Sequence, residues 1–272
     1  MNRQIALNSA RRGFLLFMLA FFILPFLWLA TTAYKPSTDI FSIPPQLGFR
    51  PTLAQFTKAL TIFDVPALVR SSIYIAGGSM ILSLLLGVPA GYALARSSHR
   101  FAMALAYFFM SIRMVPAVAA LIPFYLLMRD IGLVGHWFSV VLINCVLNTA
   151  FVSYMMYSYF RALPPEMEEA ALTDGCTQFT AFWRVSLPAV RSGIVASSLF
   201  CVLFSWNDFL FAMFLTRLDS KPISVALLSA YGTKDITWGT LGALAHFSTI
   251  PIVLMVLALN RHFVQGLTKG VH

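Results

Sequence analysis

Apolar residues in this chain gather in runs of about 20 or more, separated by shorter polar stretches. Six runs stand out: Phe14–Ala33, Ser71–Ala95, Phe101–Met128, Trp137–Phe160, Ile194–Thr216 and Trp238–Leu259. A helix needs about 20 apolar residues to cross ~30 Å of hydrocarbon. In lipid, backbone N–H and C=O groups must be satisfied within the segment itself. The pattern therefore predicts an all-α polytopic membrane protein with six transmembrane helices. A transmembrane barrel would show alternating segments of about 10 residues, and none is present. Two polar stretches are long. Residues 34–70 carry Pro36, Pro44, Pro45, Pro51 and Pro66 and read as extended and turn-rich. Residues 161–191 lie between the fourth and fifth runs.

Composition agrees: 59% of residues are hydrophobic and 11% are charged, where soluble domains average about 25% charged. The net charge of +9 would suggest nucleic acid in a soluble protein. In a membrane protein, loop cations orient the spans and meet anionic headgroups, so lipid is the expected contact and nucleic acid is not. The Arg11–Arg12 pair before the first run and "RSSHR" between the second and third place both termini on the cytoplasmic side. The first apolar run is about 20 residues, longer than the roughly 7–15 of a signal peptide, and reads as a retained span. Cys145, Cys176 and Cys201 have neither metal-type nor disulfide-type spacing. No metal or cofactor site is expected.

The polar stretch "RALPPEMEEAALTDGCTQFTAFWRVSLPAVRSG" has internal punctuation. Pro164–Pro165 followed by Glu166, Glu168 and Glu169 is a helix start, because proline suits the first turn and carboxylates complement the positive end of the dipole. Met167, Ala170 and Ala171 form an apolar face. Gly175 is expected to stop the helix as a left-handed cap. A second short helix near Gln178–Val185 has Phe179, Phe182 and Trp183 for packing, and Pro188 is expected to end it. Two readings stand. The loop is an amphipathic element resting on headgroups, or it docks on a partner, with Glu169 pairing with a basic residue there.

The stretch resembles the signature loop of bacterial ABC-importer permeases. That signature runs E-A-A, three residues, Gly, nine residues, then a β-branched aliphatic, any residue, Leu-Pro. This chain gives Glu169-Ala170-Ala171, three residues ending in Asp174, Gly175, nine residues, then Val185-Ser186-Leu187-Pro188. Val185 replaces the more usual Ile, and Cys176 the frequent Ala. "PFLWLATTAYKPSTDIF", "WNDFLFA" and the tail "RHFVQGLTKGVH" are similar to the carbohydrate subclass, in particular its maltose-type smaller subunit. The tail lacks that family's basic extension after the final Gly-Val.

The resemblance implies that residues 1–272 form a single permease domain whose 161–191 loop holds the coupling helices. It implies a homologous second permease, a pair of cytoplasmic ATPase subunits that bind ATP and Mg, an extracytoplasmic solute-binding protein, and a place in the bacterial inner membrane. No cofactor is implied in this chain.

Ionisable groups within spans are costly and face cavities or partners. Arg113 lies 12 residues past Phe101, and Asp208 lies 14 past Ile194. At ~1.5 Å per residue in continuous helices, both sit roughly 18–21 Å deep. They pair, or each separately meets water in the transport cavity. Asn144 and Asn148, at i and i+4, share one face and bind sugar hydroxyls or hold helices together. Trp206 and Asn207, beside Asp208, complete the candidate pathway residues. His246 reads as a satisfied interior histidine. Pro89, Pro116 and Pro123 are expected to kink their helices.

The chain contains no G-x-x-x-x-G-K, H-E-x-x-H or G-x-S-x-G, so enzyme chemistry is not expected. The rival to a permease subunit is a self-sufficient secondary transporter with Arg113 and Asp208 as an ion relay. A structural membrane subunit is a third class.

Overall fold

A computed structural model describes residues 2–46, 48–97, 100–230 and 238–269. Leu47, Ser98, His99, Lys234 and the final Gly270-Val271-His272 of the tail lie outside the described residues. The described chain is helical, with no strand and one isolated bridge, Gly135 to Thr216. In order it forms α1 (Asn2–Thr32), α2 (Ala54–Ile62), α3 (Val65–Arg96), α4 (Arg100–Ile112), α5 (Ala117–Asp130) and α6 (Trp137–Arg161). Then come α7 (Glu166–Thr173), α8 (Gln178–Ala181), a π-helical segment Phe182–Ser186 and α9 (Leu187–Ala189). The last elements are α10 (Arg191–Trp206), α11 (Leu210–Leu215), α12 (Ile223–Ala230) and α13 (Trp238–Lys269).

Among the described residues four helices are long and apolar enough to cross a membrane on their own, and two bent pairs bring the number to six when each pair is taken as one span. The bent pairs correct two of the expected spans. The third is not continuous over 101–128: α4 and α5 meet at 90° across residues 113–116. Pro116 accounts for this, since it offers no N–H and pushes the residue before it out of the helical region. The fifth is interrupted at 207–209, and its bend of 74° lies at Val190, between Gln178–Ala189 and Arg191–Trp206. The proline-rich 34–70 stretch also contains more helix than expected. The interval between Pro51 and Pro66 is free of proline and forms α2, while Pro66 falls in the first turn of α3, where proline is tolerated.

The chain divides into two compact units. In the first (Met1–Val65 with Leu227–Thr249), buried Gln55 accepts a hydrogen bond from Thr240 (3.2 Å) and donates to Ser37 (3.0 Å). His246 packs against Tyr34 and Phe56, and its Nδ1 lies 2.7 Å from the Gly242 carbonyl, so it is the satisfied interior histidine the sequence suggested. In the second (Pro66–Ala226 with Ile250–His272), α6 is the most enclosed of the long helices. One end of α6 packs Val140, Val141 and Ile143 with Ile75, Phe211 and Leu215; the other packs Val152, Met156 and Phe160 with Val88, Phe182 and Cys201. Gly87 and Gly91 let α3 lie directly on α6. A Cβ on Gly91 would stand 2.7 Å from Met156 Cβ, 2.8 Å from Tyr157 N and 2.9 Å from Ser153 O. Close backbone approach of this kind is how helices associate where lipid removes the hydrophobic drive.

Candidate functional site

The 161–191 loop folds as its punctuation dictates. Glu166, Glu168 and Glu169 occupy the first turn of α7. The helix closes in a Schellman motif: the Cys176 N–H donates to the Ala171 carbonyl and the Gly175 N–H to the Leu172 carbonyl, both at 3.0 Å. Gly175 takes the expected left-handed conformation, φ +88°, and a Cβ added there would meet nothing within 4 Å. Within this chain the glycine is demanded by backbone conformation, not by crowding. Thr177 then caps α8, accepting from the Thr180 N–H at 3.2 Å.

Beyond α8 the helix widens into the π-helical turn, where the Leu187 N–H reaches back five residues to the Phe182 carbonyl. Widening accommodates Pro188, which has no N–H and would crowd the carbonyl four residues earlier. Pro188 therefore does not end the helix; the chain stays helical to Ala189 and turns at Val190. The aromatic expectation needs a second correction. Phe182 alone packs inward, 4.6 Å from the Tyr92 ring, while Phe179 and Trp183 are 72% and 51% exposed. Of the signature positions, Ala171 is buried, Val185 and Leu187 are half-buried, and Glu169, Ala170, Asp174, Gly175 and Pro188 are exposed.

Glu168, not Glu169, is the acid the fold uses. Arg96, in the last turn of α3, donates from Nε to Oε2 (2.9 Å) and from Nη2 to Oε1 (2.7 Å). Tyr92, one turn earlier, donates to Oε2 (3.1 Å), and Ser186, at the end of the π segment, donates to Oε1 (2.6 Å). The ion pair is largely enclosed, with 22% of the Arg96 side chain and 12% of the Glu168 side chain exposed. Burial on its own raises the Glu168 carboxyl. The hydrogen bonds from Arg96 and Ser186, the Arg96 charge and the Tyr92 hydroxyl outweigh it, and hold the carboxyl below its ordinary value.

Arg113 and Asp208 do not pair. Each sits in one of the two span interruptions and is held by its own asparagine of α6. Arg113 donates from Nη1 to Asn148 Oδ1 (2.8 Å) and lies 3.5 Å from the Phe204 ring centre. Asp208 Oδ2 accepts from Asn144 Nδ2 (2.8 Å), and Oδ1 accepts from the Phe211 N–H (3.3 Å). Asn148 also donates to Ser205 (2.9 Å) and Asn144 to the Val140 carbonyl (3.2 Å). Both asparagines are buried, so they act as helix-to-helix ties. They stand one helical turn apart on α6, and each takes one of the two charges.

Asn207 is exposed and donates to the Leu203 carbonyl at 2.8 Å. Trp206 is buried, and its indole N–H has no partner among the described residues. It borders a mostly apolar cavity of about 300 Å³ with Ile73, Gly77, Val202 and Pro251. Among the described residues no cluster of His, Cys, Asp and Glu is placed to hold a metal.

Sequence reasoning missed Tyr92, Arg96, Glu168 and Ser186 as a group, and the glycine seam on α3. Signals for both were present. Tyr92 and Arg96 stand at i, i+4 and so share a face, and "GVPAG" (Gly87 to Gly91) is a G-x-x-x-G packing pattern.

Residues 87–269, which contain the loop, the two breaks and the asparagines, match the family model for the binding-protein-dependent transport system inner membrane component. A probable ABC transporter permease of Sinorhizobium fredii is 30% identical over 93% of this chain and 91% of its own length. The trehalose transport system permease of Mycobacterium tuberculosis is 29% identical over 91% of both. Among solved structures, a bacterial ABC transporter that imports the acidic polysaccharide alginate has the same fold, with a TM-score of 0.81 at 20% identity over 97% of this chain and 98% of that one. With its family model covering 183 residues from Gly87 to Lys269, this chain belongs to the inner membrane components of binding-protein-dependent transport systems.

Proposed function

We propose that this chain is a transmembrane subunit of an ATP-driven importer for a sugar or sugar derivative. In this reading it is the smaller, maltose-type permease and forms half of the translocation pathway beside a homologous second permease. Its 161–191 loop docks on a pair of cytoplasmic ATPase subunits, which bind ATP and Mg and do the hydrolysis. A solute-binding protein delivers the substrate from outside, and both termini lie in the cytoplasm. The observation that carries this reading is the loop itself. The signature register from Glu169 to Pro188 folds into two short helices around a left-handed Gly175. Glu169, Ala170 and Asp174 face out, and Glu168 anchors the loop from behind. The Mycobacterium tuberculosis relative is a trehalose transport system permease, and the structural neighbour is involved in the import of alginate, which supports the carbohydrate class. A self-sufficient ion relay through Arg113 and Asp208 finds no support, since each is bound to a different asparagine.

The test is reconstitution. With the second permease, ATPase and solute-binding protein, vesicles take up sugar only when ATP is supplied on the ATPase side. Gly175→Val, which forces a β-branched residue into positive φ, leaves the chain in the membrane but abolishes stimulation of the ATPase by loaded binding protein. Sugar uptake by this chain alone under a proton or sodium gradient would overturn the reading.

A further inference from the structure

Three acids open α7, and only Glu168 turns inward; Glu166 and Glu169 are exposed. An ionised carboxylate offers about four acceptor positions. Here four donor atoms occupy them: Nε and Nη2 of Arg96, the Tyr92 hydroxyl and the Ser186 hydroxyl. These donors come from two further elements, the last two turns of α3 and the end of the π segment. The arginine contact is a two-pronged fork, which fixes orientation as well as distance. An eight-residue helix such as α7 is marginal by itself and joins α6 and α8 through proline and glycine turns. Its covalent links therefore allow it to pivot, and the Glu168 cluster removes that freedom. At Gly91 the end of α3 lies directly against α6, with no room for a Cβ between the two backbones.

We propose that Glu168 is a positioning residue for transport: it locks α7 to the end of α3, so that α7 and the second span move as one body when the ATPase moves the loop. The inference rests on the proposed permease reading. It adds a second route from the loop into the spans, alongside the covalent one through α9 into α10. Arg96 and Tyr92 are the receiving residues on α3, and Ser186 ties in the segment that leads to α10.

The experiment uses the assembled complex in nanodiscs, with native cysteines replaced and spin labels at exposed positions Glu166 (α7), Ala93 (α3) and Met213 (α11). Distances from 166 to 213 and from 93 to 213 are measured before and after trapping the ATPase with ATP, Mg and vanadate. In the wild type both distances shift together. In Glu168→Gln the first still shifts and the second stays within its resting distribution. The swapped pair Arg96→Glu with Glu168→Arg restores the joint shift. A merely stabilising ion pair would lower thermal stability in Glu168→Gln without separating the two shifts.

The proposal is overturned if position 93 stays still in the wild type, or if it follows position 166 equally well in Glu168→Gln. Should Glu168→Gln not assemble, Arg96→Lys, which keeps the charge but not the fork, carries the same comparison. A chain that forms no complex with an ATPase overturns the permease reading and this inference with it; normal trapping with unlinked shifts in the wild type overturns this inference alone.

Discussion

Glu168 and Arg113 are both withdrawn from bulk water, but they are held in opposite ways. The Glu168 carboxylate has all its acceptor positions filled, two of them by a full opposite charge. The Arg113 guanidinium has five N–H donors, of which one meets Asn148 while a face stacks on Phe204. Asp208 resembles Arg113 in being neutralised by no cation among the described residues; an amide and backbone N–H groups hold it. The first arrangement makes a joint: three elements are fixed by one side chain, and removing it leaves donors stranded. The second makes two separate moorings on one helix. Rigidity thus sits at the loop end of the second unit, and uncompensated charge sits in the breaks of its spans.

The most severe way to break this contrast is to attack the frame beneath the joint. Gly91→Val places a branched side chain where even a Cβ would stand 2.8 Å from Tyr157 N and 2.9 Å from Ser153 O. Backbone cannot yield as a side-chain tip can, so α3 must lift from α6. Overpacking typically costs about 1–3 kcal/mol and occasionally more. The expected result is loss of a monodisperse peak when the detergent-solubilised chain is run by size exclusion. An unaltered elution profile and thermal midpoint would show that the helices part easily, and the frame argument would fall.

Two double-mutant cycles then read the contrast directly. Arg96→Ala with Glu168→Ala should show a coupling of about 1.5–3 kcal/mol, the range for hydrogen bonds to charged groups, in thermal unfolding of the assembled complex. Arg113→Met with Asp208→Leu should be additive within about 0.5 kcal/mol, as for sites that share no partner. If the second coupling equals the first, the two asparagines transmit one interaction and are not separate moorings.

How much of this was legible in the sequence follows from what each feature depends on. The helical class and six apolar runs were legible because bilayer thickness sets a run length. Gly175 was legible because positive φ admits few other residues. The choice of Glu168 over Glu169 was not. Adjacent helical residues point about 100° apart, and nothing local in "EEAA" says which direction holds α3. Glu169 carries the first letter of the signature, while the residue before it does the anchoring within the chain.

The Arg113–Asp208 pairing failed for a related reason. Depth arithmetic assumed continuous helices, and both residues lie where the helix stops. Pro116 predicts a kink, and its consequence is larger: a 90° break. Asn144 and Asn148 were placed on one face correctly. That each would intercept one charge depends on rotation about α6, which a sequence does not encode locally.

The smallest effect, and the most specific to the joint, is the dependence on pH. The Glu168 carboxyl is held below its ordinary value in the folded chain, with Arg96, Ser186 and Tyr92 prevailing over burial. A lowered folded value means that the unfolded chain binds the proton more readily, so stability rises with pH across the interval between the two values. The contribution is therefore complete above the unfolded glutamate value of about 4.3. It drains away as pH falls through that value toward the lower folded one. Thermal unfolding of wild type and Glu168→Gln over pH about 3 to 7 isolates it, because every other titrating group is common to both and cancels in the difference. The wild type's advantage over Glu168→Gln should be level above pH about 5 and shrink below it. A difference that stays constant through the acid range would mean that the carboxylate's charge is not what ties α7 to α3, and that the hydrogen bonds from Tyr92 and Ser186 suffice. The loop joint would then rest on neutral ties like those that moor Arg113 and Asp208.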